Sequence, residues 1–171
     1  MRPPEAGRLI PPFGDGNGSG VRPALGTRPR ILLVEDDAVL AGATAMILGT
    51  SFEILVATTG RGALEVLADD TIGLDLVVSD VGLPDIASHR LRNELIQLRG
   101  DLPTVWISGH DRAEVARRLG ATPRHFLMKP YSLDQLEAAV REALQASSVT
   151  RREAERGSGT ARLRGSGGRS G

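Results

Sequence analysis

The chain has 171 residues, of which 40% are hydrophobic and 25% are charged, an ordinary composition for one globular domain. It contains no cysteine, which excludes disulfides, thiolate metal sites and thiol catalysis and fits a reducing compartment. Its uncharged segments are too short for a bilayer span or a signal peptide, so we expect a cytoplasmic protein without membrane contact.

The net charge of zero hides an uneven distribution of charge along the chain. Residues 30–146 carry eleven basic and seventeen acidic side chains, whereas both ends are basic and rich in Gly and in Pro or Ser. Such ends contain too few apolar residues to offset the entropy that is lost when they become ordered. We therefore predict one domain over residues 30–146, with disordered tails at 1–29 and 147–171.

Five short apolar runs are typical of strands buried on both faces of a parallel sheet. In chain order they are RILLVE (30–35), FEILVA (52–57), LDLVVSD (74–80), PTVWIS (103–108) and HFLMK (125–129). A helical pattern follows each run, and parallel strands need crossover connections of that kind. The alternation predicts an α/β domain, a doubly wound five-stranded parallel sheet with helices on both faces.

The spacing of apolar residues predicts the buried side of each helix. Ser132 and Gln135 form a capping box that is expected to begin the last helix. In the first helix, the predicted buried stripe consists of Val39, Leu40, Ala43, Met46 and Ile47.

Polar side chains stand at the ends of four predicted strands. Glu35 and Asp36 follow the first strand, Asp80 ends the third, Ser108 ends the fourth, and Lys129, the only lysine of the chain, ends the fifth. Taken singly, each has an ordinary explanation as a helix cap, a turn former or a solvated charge. The carboxyl ends of parallel strands share one edge, however, where ligands bind. Three carboxylates at that edge repel one another and indicate a hard cation, with Mg²⁺ as the natural candidate.

Four segments, ILLVEDD, LVVSDVGLPD, VWISG and FLMKPYS, occur in this order at four of the strands. Over residues 30–146 they closely resemble the receiver domain of bacterial two-component response regulators. The resemblance implies a flavodoxin-like sheet with strand order 2-1-3-4-5. It also implies a signalling domain rather than an enzyme, with at most self-phosphorylation and slow self-dephosphorylation.

The resemblance assigns a role to each matching residue. It implies that Asp80 is the phosphoacceptor and that Mg²⁺ is held by Glu35, Asp36, Asp80 and the backbone carbonyl of Gly82. The hydroxyl of Ser108 and the ammonium of Lys129 are expected to bind the phosphoryl oxygens, and Phe126 matches the aromatic switch position. Ser108 replaces the commoner threonine, and the segment after Asp85 lacks the glycine that usually precedes the third helix.

The resemblance also implies partners. The phosphoryl group is expected from a phosphohistidine on a sensor histidine kinase or a histidine phosphotransfer protein. The last two βα units are expected to signal to a downstream protein by a conformational change, and a homodimer is a further option. Residues 147–171 are too few for a DNA-binding domain, and the motifs also resemble receivers of hybrid histidine kinases.

Two alternatives belong to other classes. A phosphatase of the haloacid dehalogenase type also uses Asp, Mg²⁺ and Lys, but it expects an aspartate two residues after the nucleophile, where this chain has Gly82. The other alternative is a protein-binding module that kept the fold and works without phosphorylation.

Overall fold

The computed structural model describes residues 28–161, with side chains described up to residue 150. Residues 1–27 of the predicted N-terminal tail and residues 162–171 of the predicted C-terminal tail lie outside the described residues. Every predicted strand is present, with ends that differ from the predicted ones by at most two residues. The strands are β1 (Arg30–Val34), β2 (Glu53–Ala57), β3 (Leu76–Asp80), β4 (Thr104–Ser108) and β5 (His125–Met128). The helices are α1 (Ala38–Leu48), α2 (Gly60–Ala68), α3 (Ser88–Arg99), α4 (Arg112–Leu119) and α5 (Leu133–Ala161).

The five strands form one sheet in the order β2-β1-β3-β4-β5, and every pair is parallel. This confirms the predicted doubly wound fold. The chain reverses its direction across the sheet between β1 and β3. In sheets of this kind, the crevice at the carboxyl ends beside that reversal is where ligands bind.

Two separate apolar clusters cover the faces of the sheet, because alternate residues of each strand point to opposite sides. In β1, Ile31 and Leu33 pack with α1 and α5, whereas Leu32 and Val34 pack with α2, α3 and α4. Burial on both faces explains why the strands appear in the sequence as nearly continuous apolar runs.

The prediction of which face of α1 is buried is wrong. The helix turns Ala41, Thr44 and Leu48 toward the sheet, while Val39 and Met46 remain 83% and 75% exposed. The remaining members of the predicted stripe are also incompletely buried, namely Leu40, Ala43 and Ile47. The sequence of this helix, AVLAGATAMIL, is apolar on nearly every side. Periodicity therefore could not identify the face that packs, and α1 carries an exposed apolar surface.

Side-chain caps stand at the start of α1 and of α5. Asp37 caps α1 by accepting hydrogen bonds from the backbone N–H groups of Val39 and Leu40. The predicted capping box is confirmed: Ser132 N–H donates to Oε1 of Gln135 at 2.8 Å, and Gln135 N–H donates to Oγ of Ser132 at 3.2 Å. These caps satisfy N–H groups that have no partner within the helix.

Helix α5 continues past residue 146, the predicted end of the domain, to Ala161. Residues 147–161 are thus helical, whereas the sequence predicted a disordered tail from residue 147. Contacts with the core stop near the predicted boundary, since Ala143 is buried and Val149 is exposed. A helix that is already nucleated extends without further packing, which explains how it outlasts its contacts. Neither α5 nor any other helix within residues 28–161 is long and apolar enough to cross a membrane.

Candidate functional site

Three carboxylates lie together where β1 and β3 end. Glu35 and Asp36 directly follow β1, and Asp80 is the last residue of the neighbouring strand β3. One oxygen from each carboxylate lies within 4.8 Å of the others. Glu35 is buried, with 6% of its surface exposed, whereas Asp36 is exposed. The structure thus brings together the three acids that the sequence placed at strand ends.

The three consecutive acidic residues Glu35, Asp36 and Asp37 have two different structural roles. The carboxylate of Asp37 leaves the cluster to cap α1, while its own N–H donates to Oε1 of Glu35 at 3.3 Å. Asp37 therefore ties Glu35 to the start of the helix, and the other two acids remain at the strand ends.

Lys129 supplies the positive charge of the site. Its Nζ donates a hydrogen bond to Oδ2 of Asp80 and lies 3.5 Å from Oε2 of Glu35. The backbone N–H of Lys129 donates to the carbonyl of Ser108 at 2.8 Å, which extends the β4–β5 ladder by one bond. The peptide bond between Lys129 and Pro130 is cis. The strand pairing thus carries the ammonium across the end of β4 toward β3.

Burial and charge oppose each other at these groups. Burial raises the pKa of Glu35 above its ordinary value, and the nearby Lys129 ammonium offsets this only in part. For Lys129, burial lowers the pKa, but the hydrogen bond to Asp80 and the charges of Asp80 and Glu35 together outweigh burial, so the pKa lies above its ordinary value. Lys129 is therefore a stable ammonium, and one ammonium faces three carboxylates.

Gly82 lies beside the carboxylate of Asp80. Its backbone N–H donates to Oδ1 of Asp80 at 2.7 Å, and the residue is exposed. The three carboxylates of Glu35, Asp36 and Asp80 offer oxygen ligands, the kind that hard cations such as Mg²⁺ prefer. A divalent cation would also offset the excess negative charge. The residues present therefore fit Mg²⁺.

The two remaining predicted residues lie on neighbouring strands. Ser108 ends β4 and is 3% exposed; its Oγ accepts a hydrogen bond from His110 N–H at 3.1 Å. Within residues 28–150, no hydrogen bond joins this hydroxyl to Asp80 or Lys129. Phe126 in β5 is half-buried, pairs in register with Trp106 and packs against the cluster beneath α2, α3 and α4. The structure thus places Ser108 beside the site and Phe126 one layer behind it.

Sequence reasoning missed two residues near the site. Burial raises the pKa of Tyr131 above its ordinary value; the Lys129 ammonium opposes this increase, and the carboxylates of Glu35 and Asp80 add to it. The carboxylate of Asp85 accepts hydrogen bonds from the start of α2. For Asp85, the local motif carried no signal of this contact, because its partners are 24 and 25 residues away along the chain.

Comparison with known protein families assigns the chain to one family. The family model described as the response regulator receiver domain matches residues 31–141. The chain belongs to this family. Receiver domains are signalling domains that interact with histidine kinases or phosphotransfer partners, and the match gives no support to the haloacid dehalogenase alternative.

Several receiver-containing relatives resemble the chain. It is 36% identical over 117 residues to Sensor kinase CckA of Brucella abortus, which covers 67% of this chain and 12% of that protein. It is 29% identical to the two-component response regulator ORR21 of rice, over 71% of this chain and 17% of the relative. It is also 29% identical to the transcriptional regulatory protein TrcR of Mycobacterium tuberculosis, over 76% of this chain and 51% of the relative. The chain therefore spans a small part of the first two relatives, and such relatives occur in plants as well as in bacteria.

Known structures agree with the observed fold. A CheY-like response regulator receiver domain from Methanospirillum hungatei superposes with a TM-score of 0.66 at 25% identity, covering 72% of this chain and 99% of the other. The non-phosphorylated HemR receiver domain from Leptospira biflexa superposes with a TM-score of 0.58 at 27% identity, covering 68% and 94%. The similarity thus extends over nearly the whole of each receiver domain.

Proposed function

We propose that this receiver domain accepts a phosphoryl group on Asp80 from a phosphohistidine of a sensor histidine kinase or a histidine phosphotransfer protein, in a reaction that depends on Mg²⁺. The observation that carries this proposal is the contact between Lys129 and Asp80 inside a cluster of three carboxylates. A carboxylate at a strand end, with one cation already against it, is the nucleophile that such a transfer needs.

The transfer is a substitution at phosphorus. An oxygen of the Asp80 carboxylate attacks the phosphorus atom, the bond from phosphorus to the imidazole nitrogen breaks, and its electron pair stays with the imidazole. Both reactants are anionic, so charge neutralisation and in-line positioning provide most of the rate. Glu35, Asp36, Asp80 and the Gly82 carbonyl would hold Mg²⁺, which supplies neutralisation of the phosphoryl charge when it is bound. Lys129 keeps the acceptor oriented from the side of β5.

The same residues would report the modified state. The new phosphoryl oxygens are strong hydrogen-bond acceptors, and the nearest side-chain donors on β4 and β5 are Ser108 and Lys129. Movement of Ser108 toward the phosphoryl group would break its bond from His110 and leave space into which Phe126 can turn. The last two βα units would then repack and present a changed surface of α4 and α5 to a downstream protein.

The exposed apolar face of α1 is the surface that we assign to the phosphohistidine partner. Val39 and Met46 are largely exposed on a helix that begins directly after Asp36 and Asp37. A donor that brings its imidazole to Asp80 must approach this same edge of the sheet. Removal of apolar surface from water is favourable by about 25 cal/mol per Å². Contact with this face of α1 would orient the donor over the acidic cluster.

Incubation with acetyl phosphate and Mg²⁺, followed by intact mass measurement, tests the acceptor. The wild type should gain the mass of one phosphoryl group, and Asp80→Asn should gain none. Failure of the wild type to be labelled by acetyl phosphate, by phosphoramidate and by any histidine kinase in a panel would contradict the proposal. Turnover of a phosphomonoester would favour the phosphatase, and full binding of a partner by Asp80→Asn would favour a module that works without phosphorylation.

A further inference from the structure

The loop from β3 to α3 is attached to a helix on the other side of the site. Asp85, in the middle of this loop, accepts a hydrogen bond from Gly60 N–H on Oδ1 and another from Arg61 N–H on Oδ2, both at 2.9 Å. These N–H groups belong to the first turn of α2, where they have no partner within the helix. The third such group, Gly62 N–H, donates to Oγ of Thr59 at 3.0 Å. The start of α2 is thus capped partly by its own N-cap residue, Thr59, and partly by Asp85 in the loop from β3 to α3.

The next residue of the loop is also fixed against α2. A Cβ atom built on Gly60 would lie 2.1 Å from Cγ2 of Ile86 and 3.2 Å from its Cβ. Only glycine therefore permits this approach, and Ile86 packs against the cluster beneath α2 and α3. The carboxylate of Asp85 and the side chain of Ile86 together hold the middle of the loop against one point of α2.

The other hydrogen bonds of the loop lie near its two ends. Gly82 N–H donates to the Asp80 carboxylate at 2.7 Å, and the hydroxyl of Ser88 donates to the carbonyl of Val81. Val81 N–H also donates to the carbonyl of Ile107 in β4 at 2.9 Å, which fixes the start of the loop against the sheet. Among the described residues, Asp85 provides the hydrogen bonds that join the middle of this loop to another element, so Gly82 lies between an anchor at β4 and an anchor at α2.

We propose that Asp85 is a positioning residue for the metal site. By holding the loop against α2, it sets where the Gly82 carbonyl stands relative to the carboxylates of Glu35, Asp36 and Asp80. This inference rests on the proposed function, because it assigns Gly82 to Mg²⁺. Removal of an outer contact of this kind typically weakens metal binding about 10- to 100-fold.

The test is a Mg²⁺ titration of the whole chain, in which the amide signal of Gly82 in NMR spectra is monitored. Asp85→Ala should raise the Mg²⁺ concentration at half saturation roughly tenfold. Asp85→Asn, which keeps one acceptor oxygen, should give a smaller rise. Gly60→Ala, which leaves the carboxylate intact but presses on Ile86, should also raise it.

Thr59→Ala is the matched control, because it removes a cap from the same turn of α2 without touching the loop from β3 to α3. It should lower the thermal midpoint about as much as Asp85→Ala while leaving the Mg²⁺ midpoint unchanged. Acetyl phosphate labelling of Asp85→Ala should recover at saturating Mg²⁺.

Equal Mg²⁺ midpoints for Asp85→Ala and Thr59→Ala would overturn the positioning role. A Gly82 amide signal of the wild type that does not change when Mg²⁺ is added would overturn it as well. If the wild type binds Mg²⁺ but is never labelled on Asp80, the proposed function fails, while the Mg²⁺ midpoints still decide the role of Asp85.

Discussion

The ammonium of Lys129 donates a hydrogen bond to the carboxylate of Asp80 across the end of β4, although the two residues are 49 positions apart in the chain. The same ammonium lies 3.5 Å from Oε2 of Glu35. A compact ammonium has three donors that can be redistributed when a ligand arrives, whereas a guanidinium is a broad planar fork. This geometry accounts for a lysine in a chain whose other long cationic side chains are all arginine.

We expect Lys129→Arg to accept some phosphoryl label on Asp80 but to lose the coupling to α5. The guanidinium keeps the charge, but its planar fork cannot follow the phosphoryl group in the same way. The measurement is the chemical-shift change of α5 amides when acetyl phosphate and Mg²⁺ are added. Arg124→Lys, at an exposed position before β5, is the matched control and should behave like the wild type. Shift changes in α5 of Lys129→Arg that equal those of the wild type would refute this role.

We expect Asp36→Asn to stabilise the protein in the absence of Mg²⁺. Asp36 is exposed, and its charge helps to raise the pKa of Glu35, which shows that the two carboxylates repel each other. Removal of one charge should add roughly 0.5–1 kcal/mol to the free energy of unfolding, a value kept small by solvent screening.

Urea denaturation with and without Mg²⁺ measures this effect. The wild type should be stabilised by Mg²⁺ through mass action, and Asp36→Asn much less. Asp101→Asn, in the exposed loop before β4, is the control and should change neither value. A destabilised Asp36→Asn protein without Mg²⁺ would mean that repulsion in the cluster is not the dominant effect.

We expect Met46→Asp to impair phosphotransfer from a protein donor but not from acetyl phosphate. The side chain is exposed in the free domain and would be buried by the donor, so a carboxylate there would have to be desolvated. A slowing of roughly tenfold corresponds to the loss of one significant interface contact.

A panel of histidine kinases is first screened for the one that labels the wild type fastest. The measurement compares the rate of labelling by this kinase with the rate of labelling by acetyl phosphate. Ile96→Asp, an exposed apolar residue on α3, is the control and should be slowed in neither reaction. Equal slowing of Met46→Asp with both donors would point to damage at the site, and unchanged transfer from the kinase would remove α1 from the docking surface.

A pH-dependent effect is expected at the contact between α5 and the loop before β2. The hydrogen bond from Arg141, followed by that from Ser51, lowers the pKa of Glu137 below its ordinary value of 4.5. A lowered pKa means that the stabilisation is fully present above the ordinary pKa and is lost as the pH falls through the lowered one.

Glu137→Gln should therefore be less stable than the wild type near neutral pH, and the difference should vanish in acid well below pH 4.5. Urea denaturation at the two pH values measures it. Glu142→Gln, on the same helix but without a hydrogen-bond partner among the described residues, should match the wild type at both. A difference between Glu137→Gln and wild type that persists in acid would show that packing, not charge, is responsible.

Local sequence signals identified most of the secondary structure. Strands buried on both faces appear as continuous apolar runs, and the pairing of Ser132 with Gln135 depends only on residues three positions apart. The predicted end at residue 146 marks where α5 leaves the core, but not where the helix ends. Core packing stops there, while helix propagation depends on neighbouring residues and continues.

The sequence by itself determined the order of strands and helices and the residues that stand at strand ends, because both follow from the spacing of apolar and polar residues along the chain. Parallel topology then required Glu35, Asp80 and Lys129 to share one edge of the sheet. Only the tertiary structure decided which face of the uniformly apolar α1 is buried and which distant element holds Asp85. Those outcomes depend on the competition between whole surfaces for the same core and on contacts between residues far apart in the chain, and local spacing does not encode either.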